Sequence, residues 1–152
     1  MRLSLFVVMV ALAIAGCSAQ GATSTATVEV KNAWIRTPPP GAPTAAGYAT
    51  IVNHAIASDR LTGAYTSAAA SVGLHEMTKQ GGVMRMREIA GGVPIGSTGT
   101  VKLAADGRHL MLMGLKHPLT AGQHVRIVLQ FQRAGPKPTD FVVRDDAGGM
   151  RM

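Results

Sequence analysis

Short β-prone runs follow one another along this chain, with turn-forming pairs between several of them, a pattern that leaves no room for long helices. The pairs are Gly81-Gly82, Gly91-Gly92, Asp106-Gly107 and Gly135-Pro136. Between them lie runs rich in β-branched and other apolar residues. Strands are expected over Thr27–Ile35, Ala45–Asn53, Arg60–Thr66, Ser71–Met77, Gly82–Ile89, Gly99–Ala104, Arg108–Met113, His124–Gln132 and Asp140–Arg144. Pro38-Pro-Pro-Gly-Ala-Pro43 has too few backbone donors to join a ladder and reads as a rigid loop. Ser67–Ala70 has room for a single helical turn, and no amphipathic helix interrupts the series. The expected fold class is all-β, a two-sheet sandwich or barrel in one domain.

The N-terminus carries export features. Met1-Arg2 is a short positive region, and Leu3–Ala15 is apolar but too short for a stable membrane span. It ends in Ile14-Ala15-Gly16-Cys17, which resembles a bacterial lipobox. Cys17 is the single cysteine, so no intrachain disulfide forms, and it is the expected lipidation site. The position after it is Ser18, not the Asp of an inner-membrane retention signal. Residues 1–16 are then a signal peptide, 17–27 a small-residue tether and 28–145 the folded domain. Residues 146–152 are expected to be a disordered tail containing Met150 and Met152. The expected location is the periplasmic cell envelope, with the chain lipid-anchored to the membrane.

Loss of residues 1–16 leaves 136 of the 152 residues and removes one positive charge from the net +7. The basic residues are scattered, without a patch interleaved with aromatics, which argues against a nucleic-acid partner.

The methionines point to a soft metal. Seven of the nine are Met77, Met84, Met86, Met111, Met113, Met150 and Met152, and five of these sit in two short segments that also hold His75 and His109. Thioether sulfur is neutral and polarisable and selects Cu(I) over Zn(II), Mg(II) or Ca(II); imidazole adds a stronger donor that also suits copper. Alternate strand residues share a face. Hence His75/Met77, Met84/Met86 and His109/Met111/Met113 each line one side of their strand. In Met84-Arg85-Met86-Arg87 a solvated arginine face would turn the methionines inward or sideways. In His109–Met113 the leucines compete for the core. Met77, Met84 and Met113 are accessory candidates, each with a plainer role as filler of core gaps. Met150 and Met152 are candidates for a weak second copper site, against the plainer reading of a frayed tail.

Other classes lack their residues. A blue-copper centre needs a Cys with two His, and Cys17 lies outside the domain. A structural zinc site wants Cys or more His; His54, His117 and His124 are scattered and read as surface or packing residues. No nucleophile elbow or metal-hydrolase pattern appears, so no enzyme is expected. The competing reading is a metal-free immunoglobulin-like lipoprotein that binds a protein partner.

The segments HEMTKQGGVMRM (75–86) and HLMLMGL (109–115) resemble those of the periplasmic copper chaperones of the PCu(A)C family. Ala33-Trp34-Ile35-Arg36 with the following Pro38–Tyr48 stretch, Asn53, and Asp59-Arg60-Leu61 are similar to the family's earlier blocks. The family motif is His, ten residues, Met, twenty-one residues, His, one residue, Met. His75 and Met86 enclose ten residues, and His109-Leu110-Met111 matches the end. Met86 and His109 enclose twenty-two, one more than the motif, within a stretch rich in turns. The resemblance spans about residues 28–143. It implies a cupredoxin-like sandwich that binds one Cu(I) through His75, Met86, His109 and Met111. It also implies delivery to cuproenzyme assembly, notably the dinuclear copper centre of cytochrome oxidase, beside a Sco-type thiol protein. Storage for copper tolerance is the alternative use of such a site.

Overall fold

A computed structural model describes residues 27–145. The strands are β1 (Val28–Arg36), β2 (Thr44–Asn53), β3 (Asp59–Tyr65), β4 (Ala69–Gln80), β5 (Val83–Glu88), β6 (Val93–Ile95), β7 (Thr100–Leu103), β8 (Arg108–Leu115), β9 (His124–Phe131) and β10 (Gly135–Arg144). No helix occurs among the described residues, as the turn spacing requires. The order β4-β8-β2-β1-β10-β9-β3 returns to β4 through Ala64 opposite Val72, so the two layers close into a barrel-like sandwich. Three further strands decorate it: β5 beside β4, β6 beside β3 and β7 beside β2. All pairings are antiparallel except β1–β10, which is parallel.

Alternation fills the core. Leu74, Leu110, Leu112, Ile35, Ile51, Ile127, Leu129, Phe141 and Val143 are buried within it. These residues come from both layers, and each apolar side chain removed from water stabilises the fold by about 1.5–3 kcal/mol before ordering costs.

Several expectations shift. Ser67-Ala68 is a plain turn, and β4 starts at Ala69, so no helical turn forms. β6 escapes sequence reading because it is only three residues long and has Pro94 at its centre. β10 begins at Gly135 rather than Asp140. Its first half pairs only with β9, since β1 joins it from Val142 onward. Pro136 and Pro138 therefore sit where no donor is needed toward a second neighbour.

Two local devices shape the sheet. Between Lys31 and Trp34 the β1–β2 register slips by one residue, and Asn32 has φ 51°. This bulge reverses which residues point inward. Val28 and Val30 face the core before it and Ile35 after it, so Trp34 turns outward beside Tyr48. The second device is Asp59, a buried carboxylate at the start of β3. It accepts hydrogen bonds from the backbone N–H groups of Arg60, Arg133 and Ala134 at 2.7–3.0 Å, fastening the β9–β10 turn to β3. Asp59→Ala strands these donors and is expected to cost about 3 kcal/mol, read as a lowered urea midpoint with an unchanged slope.

Candidate metal centre

The β8 strand decides which side chains face outward. Leu110 and Leu112 are fully buried, so His109, Met111 and Met113 lie on the opposite face. On the neighbouring β4, His75 stands directly opposite His109. Their ring centroids are 6.0 Å apart at 74°. Met111 lies between Gly73 on β4 and Ala46 on β2, the two smallest neighbours a sheet can offer. The space above Gly73 is used: a Cβ there would stand 3.0 Å from Nε2 of His75 and 3.2 Å from the methyl of Met113. Such an atom could not be accommodated without moving the imidazole.

On the other side of β4, β5 carries Met86 opposite Met77 and Glu88 opposite His75. Sδ of Met86 is 3.4 Å from Nδ1 of His75. The structure thus brings His75, Met86, His109 and Met111 to one face of three adjacent strands. Met77, Met84 and Met113 share that face by register. Of the two expected directions, inward or sideways, Met84 and Met86 do not take the inward one. Every residue of β5 is exposed, Met84 and Met86 each by 49%. The β4–β5 hairpin reaches past the sandwich, so its arginine and methionine faces are both solvated. Filling a core gap is therefore ruled out for Met84. Cys17, Met150 and Met152 lie outside the described residues.

His109 is held in one tautomer. Its Nδ1–H donates to the carbonyl of Gly107 at 3.2 Å, which leaves Nε2 with a free lone pair for a metal. The same carbonyl accepts the backbone N–H of Met77 at 3.0 Å. One turn carbonyl therefore orients the imidazole and ties β4 to it. Burial is the main cause of a His109 pKa below the ordinary imidazole value, helped by the charge of His75 and opposed by the Gly107 hydrogen bond. The lowered pKa favours the neutral form, the one an imidazole needs in order to bind a metal.

Aromatic side chains wall this histidine. The ring of Tyr48, only 5% exposed, is 6.4 Å from that of His109. Trp34 packs on Tyr48 at 4.7 Å. The guanidinium of Arg144 covers Trp34 at 4.3 Å, and that of Arg36 lies 5.7 Å from the Tyr48 ring. His109 is left 4% exposed.

Among the described residues no three His, Cys, Asp or Glu side chains gather in a metal-holding group. A metal here must draw on thioethers. His54 pairs with Glu29 at 2.9 Å on an exposed surface, and His117 and His124 are exposed elsewhere. A cavity of about 610 Å³ opens between the proline loop and the segment after β8, lined in part by Pro38, Pro43, Leu115 and Leu119. It contains none of the paired histidines or their methionines, so this cavity and the candidate metal residues lie apart.

Sequence reasoning did not single out Gly73, Ala46, Tyr48 or Gly107 as parts of the centre. Gly73 had a signal, since it shares the alternation of His75. The others become visible only once strand neighbours are known.

Comparison with known proteins agrees with this architecture. Residues 28–143 match the LpqE-like family, described as lipoproteins. Lxx21020 of Leifsonia xyli subsp. xyli, named as a lipoprotein, is 33% identical over 149 residues, covering 93% of this chain and 89% of its own. The solution structure of CuI-DR1885 from Deinococcus radiodurans is 32% identical over 87% of this chain and 89% of that one, with a TM-score of 0.65. The copper-bound PCuAC domain of PmoF2 is 24% identical over 78% of this chain and 93% of its own, with a TM-score of 0.66, a likeness of fold. The chain belongs to the LpqE-like family, and its barrel-like sandwich is the PCuAC fold.

Proposed function

We propose that this protein is a copper chaperone of the cell envelope, holding one Cu(I) between His75, Met86, His109 and Met111. The observation that carries the reading is the direct opposition of His75 and His109 on the sheet, with Sδ of Met86 3.4 Å from His75. Two neutral nitrogens and two thioethers suit a soft monovalent ion and give a poor site for harder divalent ones. DR1885, with which the chain shares about a third of its residues, is described in a Cu(I) form. Cuproenzyme assembly is the task we assign to the cargo, with the dinuclear copper centre of cytochrome oxidase as recipient and a Sco-type thiol protein beside it.

Anaerobic Cu(I) titration with X-ray absorption at the copper edge tests the site. One copper per chain with mixed sulfur and nitrogen ligation is the expected result. Met86→Leu and Met111→Leu keep the volume and remove the donor, so each is expected to weaken binding about tenfold or more while stability changes by less than about 1.5 kcal/mol. Affinity unchanged in the double variant would refute the ligand set. No uptake at all by wild-type protein leaves the metal-free interaction module.

Protons compete at the imidazoles and not at the thioethers. Because burial holds the His109 pKa down, its competition sets in below the ordinary imidazole value of about 6.5. Apparent affinity is expected to be level at and above neutrality and to fall in acid, the slope approaching two protons per copper. In the metal-free protein the unfolded chain takes up the His109 proton before the folded one does. Stability therefore declines as pH falls below about 6.5. A competition titration against a Cu(I) chelator, giving the same affinity at mildly acidic and neutral pH, would sink imidazole ligation.

We propose that an acyl chain on Cys17 anchors the domain to the membrane in the periplasmic cell envelope, with residues 17–27 as tether. The lipobox-like run and the lipoprotein naming of the relatives support this. Cys17→Ser is expected to move the protein from the membrane to the soluble fraction. Wild-type protein recovered soluble, with a mature mass lacking acyl groups, would count against it.

A further inference from the structure

The β4–β5 hairpin carries an unexplained surface. Val83, Met84 and Met86 are among the few large apolar side chains left exposed, at 57%, 49% and 49%. Among the described residues β5 pairs with β4 alone, and it buries none of its residues. Exposed methionines on an arm that covers no core have no packing role there.

Register puts three thioether side chains on one face of this arm. Met77 and Met86 are directly opposite, and Met84 is two residues further out on β5, opposite Lys79 and diagonal to Met77. Opposed residues on a sheet have Cβ atoms about 5 Å apart, and diagonal ones lie about 7–8 Å apart, within reach of side chains as long and flexible as methionine. The next pair inward on the same face is His75 and Glu88, and beyond it His75 meets His109. The face therefore runs from Lys79 and Met84 near the tip, through Met77 and Met86, to Glu88 and the imidazoles.

The geometry points to a second, outer Cu(I) site formed by the thioethers of Met77, Met84 and Met86, from which the ion is handed to the His75/His109 centre. This rests on the copper-carrier reading of the inner centre. Three neutral soft donors suit a monovalent soft ion and none carries a proton to be displaced. Met86 is common to both sites, with its sulfur 3.4 Å from His75. The ion can thus exchange Met77 and Met84 for imidazole and Met111 without ever leaving Met86. No bond within the protein is made or broken, and copper stays Cu(I) throughout. The charges at the two ends favour the same direction, Lys79 at the outer end repelling a cation and Glu88 at the inner end attracting it.

The test uses the full chain and Cu(I) alone. In the His75→Leu/His109→Leu variant the inner centre is gone. The outer site predicts that one Cu(I) still binds weakly, with all-sulfur ligation by X-ray absorption and no pH dependence. Adding Met84→Leu or Met77→Leu is expected to weaken that residual binding about tenfold, whereas adding Met111→Leu leaves it as it was. Residual binding that depends on Met111 and not on Met84, or no residual binding at all, overturns the outer site. In otherwise wild-type protein, Met84→Leu is expected to slow Cu(I) transfer to a chelator about tenfold in stopped flow; an unchanged rate overturns the handover. The exposed position of Met84 makes loss of fold a poor explanation, and circular dichroism checks it. Wild-type protein that takes up no Cu(I) refutes the carrier reading and the outer site together. Wild-type uptake, with residual binding in the double histidine variant that does not depend on Met84, refutes the outer site alone.

Discussion

The β4–β8 ladder holds everything else in place. Leu74 faces Leu110, and Val72 faces Leu112, with the three leucines deep in the core. A slip of one residue would turn His109 and Met111 toward the core and expose the leucines. Each leucine moved into water would cost about 1.5–3 kcal/mol. Hydrophobic burial on one face thus sets the histidine register on the other. The site needs no separate folding device for its two nitrogens. This also explains why the extra residue between Met86 and His109 does no harm. That stretch contains β6, β7 and their turns, and its length does not enter the pairing of His75 with His109.

The two sides of the histidine pair differ in kind. On one side Tyr48, Trp34 and the two arginines close over His109. On the other, Met86 stands half exposed on an arm without core contacts. The closed side keeps water from an imidazole whose orientation the Gly107 carbonyl has already fixed, which lowers the reorganisation needed on binding. The open side would let an incoming donor reach an ion held there. A cargo site needs both properties, because an ion that is fully enclosed leaves slowly and one that is fully exposed is lost to competing ligands.

Most of the strands were legible because apolar alternation and turn pairs are local signals. The competition on β8 was legible too, and the leucines won it as their volume and lack of polar atoms would require. What was not legible depends on neighbours distant in sequence. The alternation of Met84-Arg85-Met86-Arg87 implies one buried face only if something packs against it, and β5 ends the strand order with every residue exposed. Trp34 has the same parity as Val28 and Val30, so simple alternation sends it to the core. The bulge at Asn32, a residue that tolerates positive φ, reverses that. Pro136 and Pro138 hid the first half of β10, since a proline rules out a central strand but not a one-sided one. Tyr48 and Gly107 could not be attached to His109 until β2 and the turn before β8 were known to adjoin it.

The bulge shows how much one backbone feature can do. Without the extra residue, Trp34 would enter the core and Ile35 would lie on the metal face. Tyr48 would lose the ring packed on it at 4.7 Å, and Arg144 would lose the indole beneath it. The wall beside His109 would then be a single ring open to solvent. The burial that holds the His109 pKa below the ordinary imidazole value would weaken. A left-handed asparagine three strands from the arm therefore acts on the chemistry of the site through packing alone, from β1 to β2 to β8.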